Sequence, residues 1–296
     1  MSPTTPRSHP FPASSAFSAF SAGRRRFLLG TTAALGAGAA TALGLPGTAS
    51  AASAAPAASA ASAASAATGT LYIASDSTAQ TYNSGYYPQA GWGQTLPAFF
   101  SSNITIANRA IGGRSSRSFV EQGRLASIHQ VIKPGDYLFV QFGHNDATVG
   151  NAERYTPPAD YKEYLRNDYI RATRARGATP VVVTPVSRRS YNASTGQFNV
   201  SFPAYVDAAK AVAAEEGAPL VDLSALSRAY LNGIGIEASK NVFLWLNPGQ
   251  YPNFPNGVSD DTHFQQNGAT QMSRLVAQAV ARLGLPLSGE VKPATL

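Results

Sequence analysis

The stretch LYIASDSTAQ, from Leu71 to Gln80, predicts both the fold of this chain and the position of its site. The apolar residues at its start are typical of a short buried strand, and Ser75 to Thr78 then favour a turn and a helix N-cap. In an open parallel α/β sheet, ligands bind at the carboxyl ends of the strands, where the strand order reverses. Ser77 is therefore a candidate nucleophile. The competing interpretation is that Ser75 to Ser77 merely cap a helix.

Downstream of Gly69, short apolar runs alternate with longer segments whose apolar residues recur at helical spacing. This alternation predicts an α/β fold, in which a parallel sheet is covered by helices on both faces and the crossovers are right-handed. The remaining chain of roughly 225 residues suits one domain, which we place at residues 69–296. The five candidate strands are Leu71 to Ala74, Ile104 to Asn108, Tyr137 to Phe142, Val181 to Thr184 and Leu220 to Val221.

Residues 1–51 have the pattern of a bacterial twin-arginine signal peptide. Gly23 to Leu29 reads GRRRFLL, an uncharged run continues to Leu45, and Ala49 to Ala51 offers a small-residue cleavage site. An uncleaved membrane anchor is the alternative. Residues 52–68 are almost entirely alanine and serine, which bury too little apolar surface to fold, so we expect a disordered linker. The mature protein is expected to be secreted to the outside of a bacterium by the twin-arginine route.

Removal of this leader changes the charge of the chain. The full sequence has 23 basic and 16 acidic residues, and residues 1–51 hold four of the basic residues and none of the acidic ones. The net charge thus falls from +7 to +3, which is too mild to indicate a nucleic-acid partner. No cysteine is present, so disulfides, thiolate nucleophiles and thiolate metal sites are excluded.

Three further segments place polar residues after strands or before the last predicted helix. NRAIGG, from Asn108 to Gly113, follows the second strand, and its paired glycines permit close approach of the backbone to a ligand. GHND, from Gly143 to Asp146, follows the third strand. In DDTH, the spacing of three residues lets Asp260 fold back onto His263. The strand ends therefore predict one rim on which these groups meet Ser77.

Serine hydrolysis needs a base for the hydroxyl proton, an acid that orients this base, and donors for the developing oxyanion. The mature chain has three histidines. His129 lies inside a predicted helix, where a structural role is favoured, and His144 suits either support of the site or loop packing. His263 is the remaining candidate base. Its preferred partner is Asp260 rather than the adjacent Asp261, because of the three-residue spacing.

These blocks, in this order, resemble those of the SGNH or GDSL hydrolases. Longer strings are similar to those of rhamnogalacturonan acetylesterases of carbohydrate esterase family 12, over Gly69 to Leu283. Ser75 stands where the usual first block of the family has glycine. The strings are ASDSTAQTY from Ala74, NRAIGGRSSRSF from Asn108, QFGHNDAT from Gln141, TPVSRRSY from Thr184 and NGVSDDTHFQQNGA from Asn256.

The resemblance implies a three-layer α/β/α sandwich around a central five-stranded, flavodoxin-like parallel sheet. It makes Ser77 the nucleophile, His263 the general base and Asp260 the acid that orients this base. The implied oxyanion hole consists of the backbone N–H groups of Ser77 and Gly113 and the side-chain amide of Asn145, which is a neutral donor. The implied chemistry requires no metal and no organic cofactor.

The resemblance also implies an activity: deacetylation of plant cell-wall polysaccharide, above all rhamnogalacturonan or pectin, through an acetyl-serine intermediate. Two alternatives within the hydrolases are a GDSL-type esterase or lipase on other acyl esters and an esterase of acetylated xylan. An alternative of another class is a carbohydrate-binding protein without catalysis. The expected partner is the acetylated polysaccharide, with no nucleic acid, no membrane after signal cleavage, and a monomeric protein.

Arginine and aromatic side chains near these blocks are candidate sugar contacts. Guanidinium forks match uronate carboxylates, although an ordinary salt bridge or a solvated loop contact is at least an equal alternative for each arginine. Flat rings stack on sugars, although several of these rings are expected to pack in the core. We favour Arg114, Tyr82 and Trp245, the last because three nearby prolines predict a long loop around it. The full set is Arg114, Arg117, Arg188, Arg189, Tyr82, Tyr86, Tyr87, Trp92, Trp245, Tyr251 and Phe254.

Overall fold

The structure is a computed structural model that describes residues 67–295 of the chain. The predicted signal peptide, residues 1–51, and residues 52–66 of the predicted linker lie outside the described residues. The first strand begins at Gly69. Between residues 67 and 295, every helix is too short or too polar to cross a membrane.

The described residues contain ten strands, five of which form a central parallel sheet. The strands are β1 (Gly69–Ser75), β2 (Gln89–Ala90), β3 (Ile104–Asn108), β4 (Tyr137–Gln141), β5 (Thr179–Val183), β6 (Tyr191–Asn192), β7 (Gln197–Phe198), β8 (Leu220–Val221), β9 (Phe243–Leu246) and β10 (Val258–Gln265). The central sheet has the order β3-β1-β4-β5-β8 and confirms the predicted five-stranded α/β architecture. Because the order reverses at β1, a ligand site is expected where β1, β3 and β4 end.

Side chains of the central strands alternate between two hydrophobic clusters, one on each face of the sheet. In β1, Leu71 and Ile73 belong to one cluster, and Tyr72 and Ala74 belong to the other. A strand that is buried on both faces needs apolar residues at every position. This requirement explains why the central strands are visible in the sequence as continuous apolar runs.

Helices cover both faces of the sheet. They are α1 (Trp92–Thr95), α2 (Ser116–Glu121), α3 (Arg124–His129), α4 (Pro158–Tyr164), α5 (Ala172–Arg174), α6 (Pro203–Glu215), α7 (Leu223–Ala238) and α8 (Gln266–Val280), with a π-helical segment at Leu165–Arg171 and 3₁₀ turns at Ser84–Tyr86, Leu96–Phe99, Ser239–Asn241, Pro286–Glu290 and Pro293–Thr295. Leu231 of α7 and Met272 of α8 pack in the first cluster. Tyr161 of α4 and Val212 of α6 pack in the second. The three-layer sandwich is therefore confirmed.

A second sheet, antiparallel and three-stranded, has the order β2-β10-β9 and is not predicted by the sequence pattern. Trp245 lies in β9, so the expectation of a long loop around it is wrong; the prolines begin only after β9 ends at Leu246. The sequence of β10, VSDDTHFQ, is mostly polar and lacks alternation. Its strand conformation comes from pairing with the apolar β9, because context outweighs propensity in strands.

The pairing of β10 with β9 contains a bulge. Asp260 lies opposite Leu244, whereas Phe264 lies opposite Phe243, so residues 261–263 have no partner in β9. Extra residues in one strand bend it and redirect its side chains. The bulge allows the end of β10 to reach the carboxyl edge of the central sheet, where β1 ends.

Gly268 in α8 is predicted to be required for the packing of this helix. An ideal Cβ at this position would lie 2.0 Å from the backbone oxygen of Val242, which accepts a hydrogen bond from the N–H of Gln265. We expect Gly268→Ala to lower the free energy of unfolding by about 2 kcal/mol or more, because overpacking outweighs the gain of about 1 kcal/mol in helix propensity. Urea unfolding of the purified variant measures the change.

Gly233→Ala is the matched control for this substitution. Gly233 is also helical, in α7, but a Cβ at this position would meet no atom within 4 Å. Alanine should therefore leave the free energy of unfolding unchanged or raise it by up to about 1 kcal/mol. Equal unfolding free energies for the two variants would contradict the predicted clash between α8 and Val242.

Candidate active site

Ser77 lies in a turn directly after β1. The buried side chain of Asp76 shapes this turn, because its Oδ1 accepts hydrogen bonds from the N–H of Thr78 at 2.9 Å and from its hydroxyl at 2.7 Å. The next α-helix in the described chain begins only at Trp92. The interpretation of Ser75 to Ser77 as a helix cap is therefore wrong. The turn instead presents Ser77 at the carboxyl edge of the sheet.

Ser75 fits the position where the family's usual block has glycine. It is the last residue of β1 and is not among the residues with a left-handed backbone. Its buried hydroxyl accepts a hydrogen bond of 3.3 Å from Nε2 of Gln141, which also donates to the hydroxyl of Thr78 at 2.8 Å. Oε1 of Gln141 accepts the indole N–H of Trp92 at 3.0 Å. Hydrogen bonds from the buried Gln141 side chain therefore support the turn on both sides of Ser77.

Tyr82 holds the backbone of Ser77. Its hydroxyl donates to the backbone oxygen of Ser77 at 2.9 Å, and its N–H donates to Oε1 of Gln94 at 3.0 Å. Burial raises the pKa of the Tyr82 hydroxyl well above its ordinary value, so the group remains a donor. The ring of Tyr86 packs against it, with centroids 5.6 Å apart. These contacts make Tyr82 a support for the Ser77 turn.

Two consecutive hydrogen bonds link Ser77 to a carboxylate. Nε2 of His263 lies 2.9 Å from Oγ of Ser77, and Nδ1 of His263 lies 2.6 Å from Oδ2 of Asp260. The other oxygen of Asp260 accepts the backbone N–H groups of Thr262 at 2.6 Å and of His263 at 3.0 Å. These contacts have the geometry of a serine nucleophile, its base and the acid that orients the base. The structure thus brings the three predicted residues together.

Asp260 is held in its ionised form. Burial alone would raise the pKa of this carboxyl, but the hydrogen bond and charge of His263, with the backbone N–H groups, outweigh burial and lower it to about 2. Hydrogen bonds to a carboxylate favour its charged form in this way. An ionised Asp260 accepts a hydrogen bond from the N–H at Nδ1 of His263, which directs Nε2 towards the hydroxyl of Ser77.

Asp261, the other candidate partner of His263, binds a different group. Its Oδ1 accepts the indole N–H of Trp245 at 2.9 Å and lies 3.4 Å from Nη1 of Arg189. The Arg189 guanidinium covers the Trp245 ring, 4.5 Å from its centroid. Asp260 is therefore the carboxylate that contacts His263, in agreement with the three-residue spacing. The face of Trp245 is engaged by a cation rather than presented to Ser77.

A polar cavity of about 480 Å³ opens beside Ser77 and His263. Of the predicted substrate contacts Arg114, Tyr82 and Trp245, only Arg114 belongs to its lining in the described chain. The lining consists of Ser77, Gly112, Gly113, Arg114, Ser118, Gln122, Asn145, Glu153, Arg154 and His263. Every one of these residues is polar, charged or glycine. The cavity therefore offers small polar groups a site and lacks the apolar wall that a long acyl chain would need.

The three predicted oxyanion donors surround this cavity. The N–H groups of Ser77 and Gly113 have no acceptor within residues 67–295. Gly113 has a φ of +77°, a left-handed conformation that glycine adopts without strain. One N–H of the Asn145 amide donates to the backbone oxygen of Arg114 at 3.0 Å, and the second remains available. The three residues that are predicted to donate to the oxyanion therefore all line the cavity.

Asp146 is a buried residue whose role the sequence pattern does not reveal. Its Oδ1 accepts the N–H of Ser116 at 3.0 Å and its hydroxyl at 2.6 Å, and its Oδ2 accepts the N–H of Gly143 at 3.0 Å. Burial raises the pKa of Asp146 to about 7, and the hydrogen bonds from Ser116 oppose this rise. Asp146 thus joins the loop after β4 to the start of α2. Its place beside Asn145 in the third block is the only signal for it.

The two other histidines take structural positions. The buried ring of His144 packs on Phe202, with centroids 4.8 Å apart, and its Nδ1 lies 3.6 Å from Oδ2 of Asp76. Burial lowers the pKa of His144, which favours the neutral ring. Nε2 of His129 lies 3.2 Å from the hydroxyl of Thr173. The structure thus shows packing of His144 on Phe202 and also places its ring beside Asp76, which shapes the Ser77 turn.

The other arginines that were candidate sugar contacts lie outside the cavity beside Ser77. Arg117 pairs with Glu121 at 3.1 Å and donates to two backbone oxygens. Arg188 lines a second cavity together with Arg189. The cavity beside Ser77 is instead lined by Arg154, whose Nη1 lies 3.5 Å from Oδ1 of Asn145. No motif marks Arg154 in the sequence.

The sequence matches the GDSL-like Lipase/Acylhydrolase family over residues 76–271, a span that includes Ser77 and His263. It is 45% identical over 222 residues to a Bacillus subtilis protein named probable rhamnogalacturonan acetylesterase YesY. This alignment covers 75% of this chain and 96% of that protein. The sequence is 40% identical over 217 residues to the rhamnogalacturonan acetylesterase RhgT of the same bacterium. This alignment covers 73% of this chain and 91% of that protein.

Solved structures share the fold. The crystal structure of the protein YXIM from Bacillus subtilis aligns with a TM-score of 0.63 at 32% identity, over 74% of this chain and 57% of that chain. The acetylxylan esterase Axe2 from Geobacillus stearothermophilus aligns with a TM-score of 0.53 at 15% identity, over 74% of this chain and 97% of that chain. At such low identity, the likeness to Axe2 concerns the fold alone.

The lowered pKa of Asp260 predicts a pH-dependent contribution to stability. The folded-state pKa of about 2 lies below the ordinary value of 3.8, so the contribution is present above about pH 4 and is lost as the pH falls through 2. We expect Asp260→Asn to be less stable than the wild type by at most about 2 kcal/mol at pH 5, because solvent screens the partly exposed carboxylate. Urea unfolding between pH 2 and pH 5 should show this difference shrink as the pH falls.

Asp207→Asn is the charge control for this experiment. Asp207 is exposed on α6, and its substitution should change the free energy of unfolding by no more than about 0.5 kcal/mol over the same pH range. The two variants remove the same formal charge, so only the contacts of Asp260 distinguish them. A difference between Asp260→Asn and the wild type that stays constant from pH 5 to pH 2 would exclude the lowered pKa as its source.

Proposed function

Because the chain belongs to the GDSL-like lipase/acylhydrolase family and is thus a carboxylic ester hydrolase, we propose that it removes acetyl groups from plant cell-wall polysaccharide. Rhamnogalacturonan or related pectin is the proposed substrate, since the two Bacillus relatives named for it are 40% and 45% identical over nearly their whole length. The observation that carries the proposal is the 2.9 Å contact between Ser77 and His263 at the polar cavity.

In the first half of the proposed reaction, Oγ of Ser77 attacks the acetyl carbonyl carbon and Nε2 of His263 takes the hydroxyl proton. The carbonyl electrons move onto its oxygen, and the N–H groups of Ser77 and Gly113 and the amide of Asn145 stabilise this oxyanion. Asp260 stabilises the imidazolium that forms. The bond to the sugar oxygen then breaks, and this oxygen leaves as a hydroxyl with the proton from His263.

In the second half, water hydrolyses the acetyl-serine. His263 takes a proton from the water, the hydroxide attacks the acetyl carbon, and the same donors stabilise the second oxyanion. The ester bond to Ser77 breaks, acetic acid is released and ionises, and Ser77 regains the proton from His263. One water is consumed for each acetate. In both halves, His263 carries the proton, Asp260 stabilises its imidazolium, and the three donors stabilise the oxyanion.

The lining of the cavity favours an acetyl group over a long acyl chain. Burial of each CH₂ group contributes roughly 0.8 kcal/mol only when an apolar surface receives it. The described cavity lining consists of polar residues, charged residues and glycines, so a fatty acyl chain would gain nothing of this kind. This argument speaks against the lipase alternative. The intact contact between nucleophile and base speaks against a binding protein without catalysis.

We also propose that the protein acts outside the cell after export by the twin-arginine route. The GRRRFLL segment, the uncharged run after it and the small-residue site at Ala49 to Ala51 support this proposal. The substrate supports it too, because a cell-wall polysaccharide is too large to reach an enzyme in the cytoplasm. N-terminal sequencing of the secreted protein tests the proposal, since it should place the new terminus directly after Ala51.

We expect the purified wild type to release acetate from acetylated rhamnogalacturonan in preference to acetylated xylan or a long-chain nitrophenyl ester. Ser77→Ala should lower this release at least about 1,000-fold and leave the urea unfolding curve unchanged, since only the nucleophile is lost. Acetate assays on the three substrates measure both effects. Cleavage of the long-chain ester alone would overturn the polysaccharide assignment, and full activity of Ser77→Ala would overturn the mechanism.

Asn145 has its own test as an oxyanion donor. Asn145→Ala should lower kcat by about 100- to 1,000-fold, which corresponds to about 3 kcal/mol of transition-state stabilisation, while KM changes little. Asn145→Asp preserves the shape but replaces the amide donor with a negative charge, so its loss should be at least as large. Steady-state kinetics with 4-nitrophenyl acetate measure both variants. Activity within threefold of the wild type in Asn145→Asp would contradict the assigned role.

A further inference from the structure

Two arginines, Arg114 and Arg154, line the cavity that holds Ser77 and His263. Neither has an ion-pair partner in the described part of the chain. Glu153 also lines the cavity, but its carboxylate forms no ion pair with either guanidinium. The cavity beside the nucleophile thus contains two cations that are not neutralised by a contacting acid.

Arg114 is held in a fixed orientation. Its Nη1 donates to the backbone oxygen of Gly112 at 2.6 Å, and its Nε donates to Oε1 of Gln122 at 3.1 Å. These contacts leave Nη2 without an acceptor in residues 67–295. Burial, with repulsion from Arg124 and Arg154, lowers the pKa of Arg114. A negatively charged group bound in the cavity would relieve this repulsion.

Arg154 lies directly beside the predicted oxyanion hole. Its guanidinium packs over Gly113, since an ideal Cβ on Gly113 would lie 3.6 Å from Cζ and Nη2 of Arg154. Its Nη1 lies 3.5 Å from Oδ1 of Asn145. Arg154 is exposed, so its remaining N–H groups are accessible to a ligand that enters the cavity. An anionic group of the substrate can thus reach Arg154 while the ester lies against Ser77.

We propose that Arg114 and Arg154 form a subsite for the carboxylate of a uronic acid, on the sugar that carries the acetyl ester or on its neighbour. The planar guanidinium fork matches a carboxylate, and such charge-assisted hydrogen bonds are about twice as strong as neutral ones. A neutral xylan backbone has no group that uses these cations. This inference rests on the proposed acetylesterase function for the identity of the ester and defines which part of the substrate is recognised.

Binding without turnover tests the subsite separately from catalysis. Isothermal titration calorimetry of the full-length protein with unacetylated trigalacturonate should detect binding, whereas neutral galactotriose should bind at least tenfold more weakly. Arg114→Gln and Arg154→Gln should each weaken trigalacturonate binding at least tenfold. An increase of salt from 50 mM to 500 mM should weaken it severalfold, because the charges are partly exposed. Equal binding of the charged and neutral sugars would overturn the proposal.

Two controls separate the subsite from the overall charge. Arg282→Gln removes the same charge at an exposed position after α8 and should leave trigalacturonate binding within twofold of the wild type. Glu153→Gln removes the only acid of the cavity lining within the described residues, so it should leave the affinity unchanged or raise it. Weakening by Arg282→Gln as large as that by Arg154→Gln would show a general charge effect and would overturn the subsite.

Kinetics distinguish substrate binding from support of the oxyanion hole. In Arg154→Gln, the ratio of kcat/KM for an acetylated galacturonate oligosaccharide to that for 4-nitrophenyl acetate should fall at least tenfold. Arg154→Lys retains the charge but loses the fork, so it should recover part of this ratio. An equal loss on both esters would overturn the proposal. Trigalacturonate binding without acetate release from any ester would support the subsite and refute the proposed esterase function.

Discussion

One buried carboxylate, Asp146, holds the site together. A buried polar group costs free energy unless it finds hydrogen-bond partners, and the Asp146 side chain accepts three hydrogen bonds from Ser116 and Gly143. Ser116 follows the loop that carries Gly113, and Gly143 precedes Asn145 by two residues. The need of one carboxylate for donors therefore fixes two loops relative to each other. Because these loops carry Gly113 and Asn145, the same interaction sets the separation of two predicted oxyanion donors.

The predicted base and its predicted acid reach Ser77 through an irregular strand. Side chains three residues apart lie on one face of a helix, but in a regular strand they point to opposite faces. Asp260 and His263 are three residues apart within β10 and still share a hydrogen bond of 2.6 Å. The bulge after Asp260 removes the alternation of the strand and makes this contact possible. The bulge, which interrupts the sheet, thus allows Asp260, His263 and Ser77 to lie in contact.

The sequence predicts those parts of the molecule that burial or motif spacing determines. Strands such as β1 and β4 are buried on both faces, so their apolar runs are unambiguous. The antiparallel sheet cannot be predicted from the sequence, because the mostly polar β10 lacks the apolar pattern of a strand. In addition, the prolines just after β9 indicate a loop around Trp245. Motif spacing identifies Ser77 and His263. It cannot identify Arg154, because the conformation of a loop, and no local pattern, brings that side chain to the cavity.

A negatively charged sugar presents an electrostatic problem to a reaction that generates an oxyanion. Two unit charges about 6 Å apart in an effective dielectric of about 20 repel by about 3 kcal/mol, which would slow the reaction about a hundredfold. Arg154 contacts both Gly113 and Asn145, so its charge acts on the predicted hole and on the proposed carboxylate subsite at once. A neutral ester carries no such penalty and therefore gains less from this arginine. Selectivity for an anionic substrate then has two sources. Arg154 offsets the repulsion between the substrate carboxylate and the oxyanion, and it also attracts the carboxylate directly.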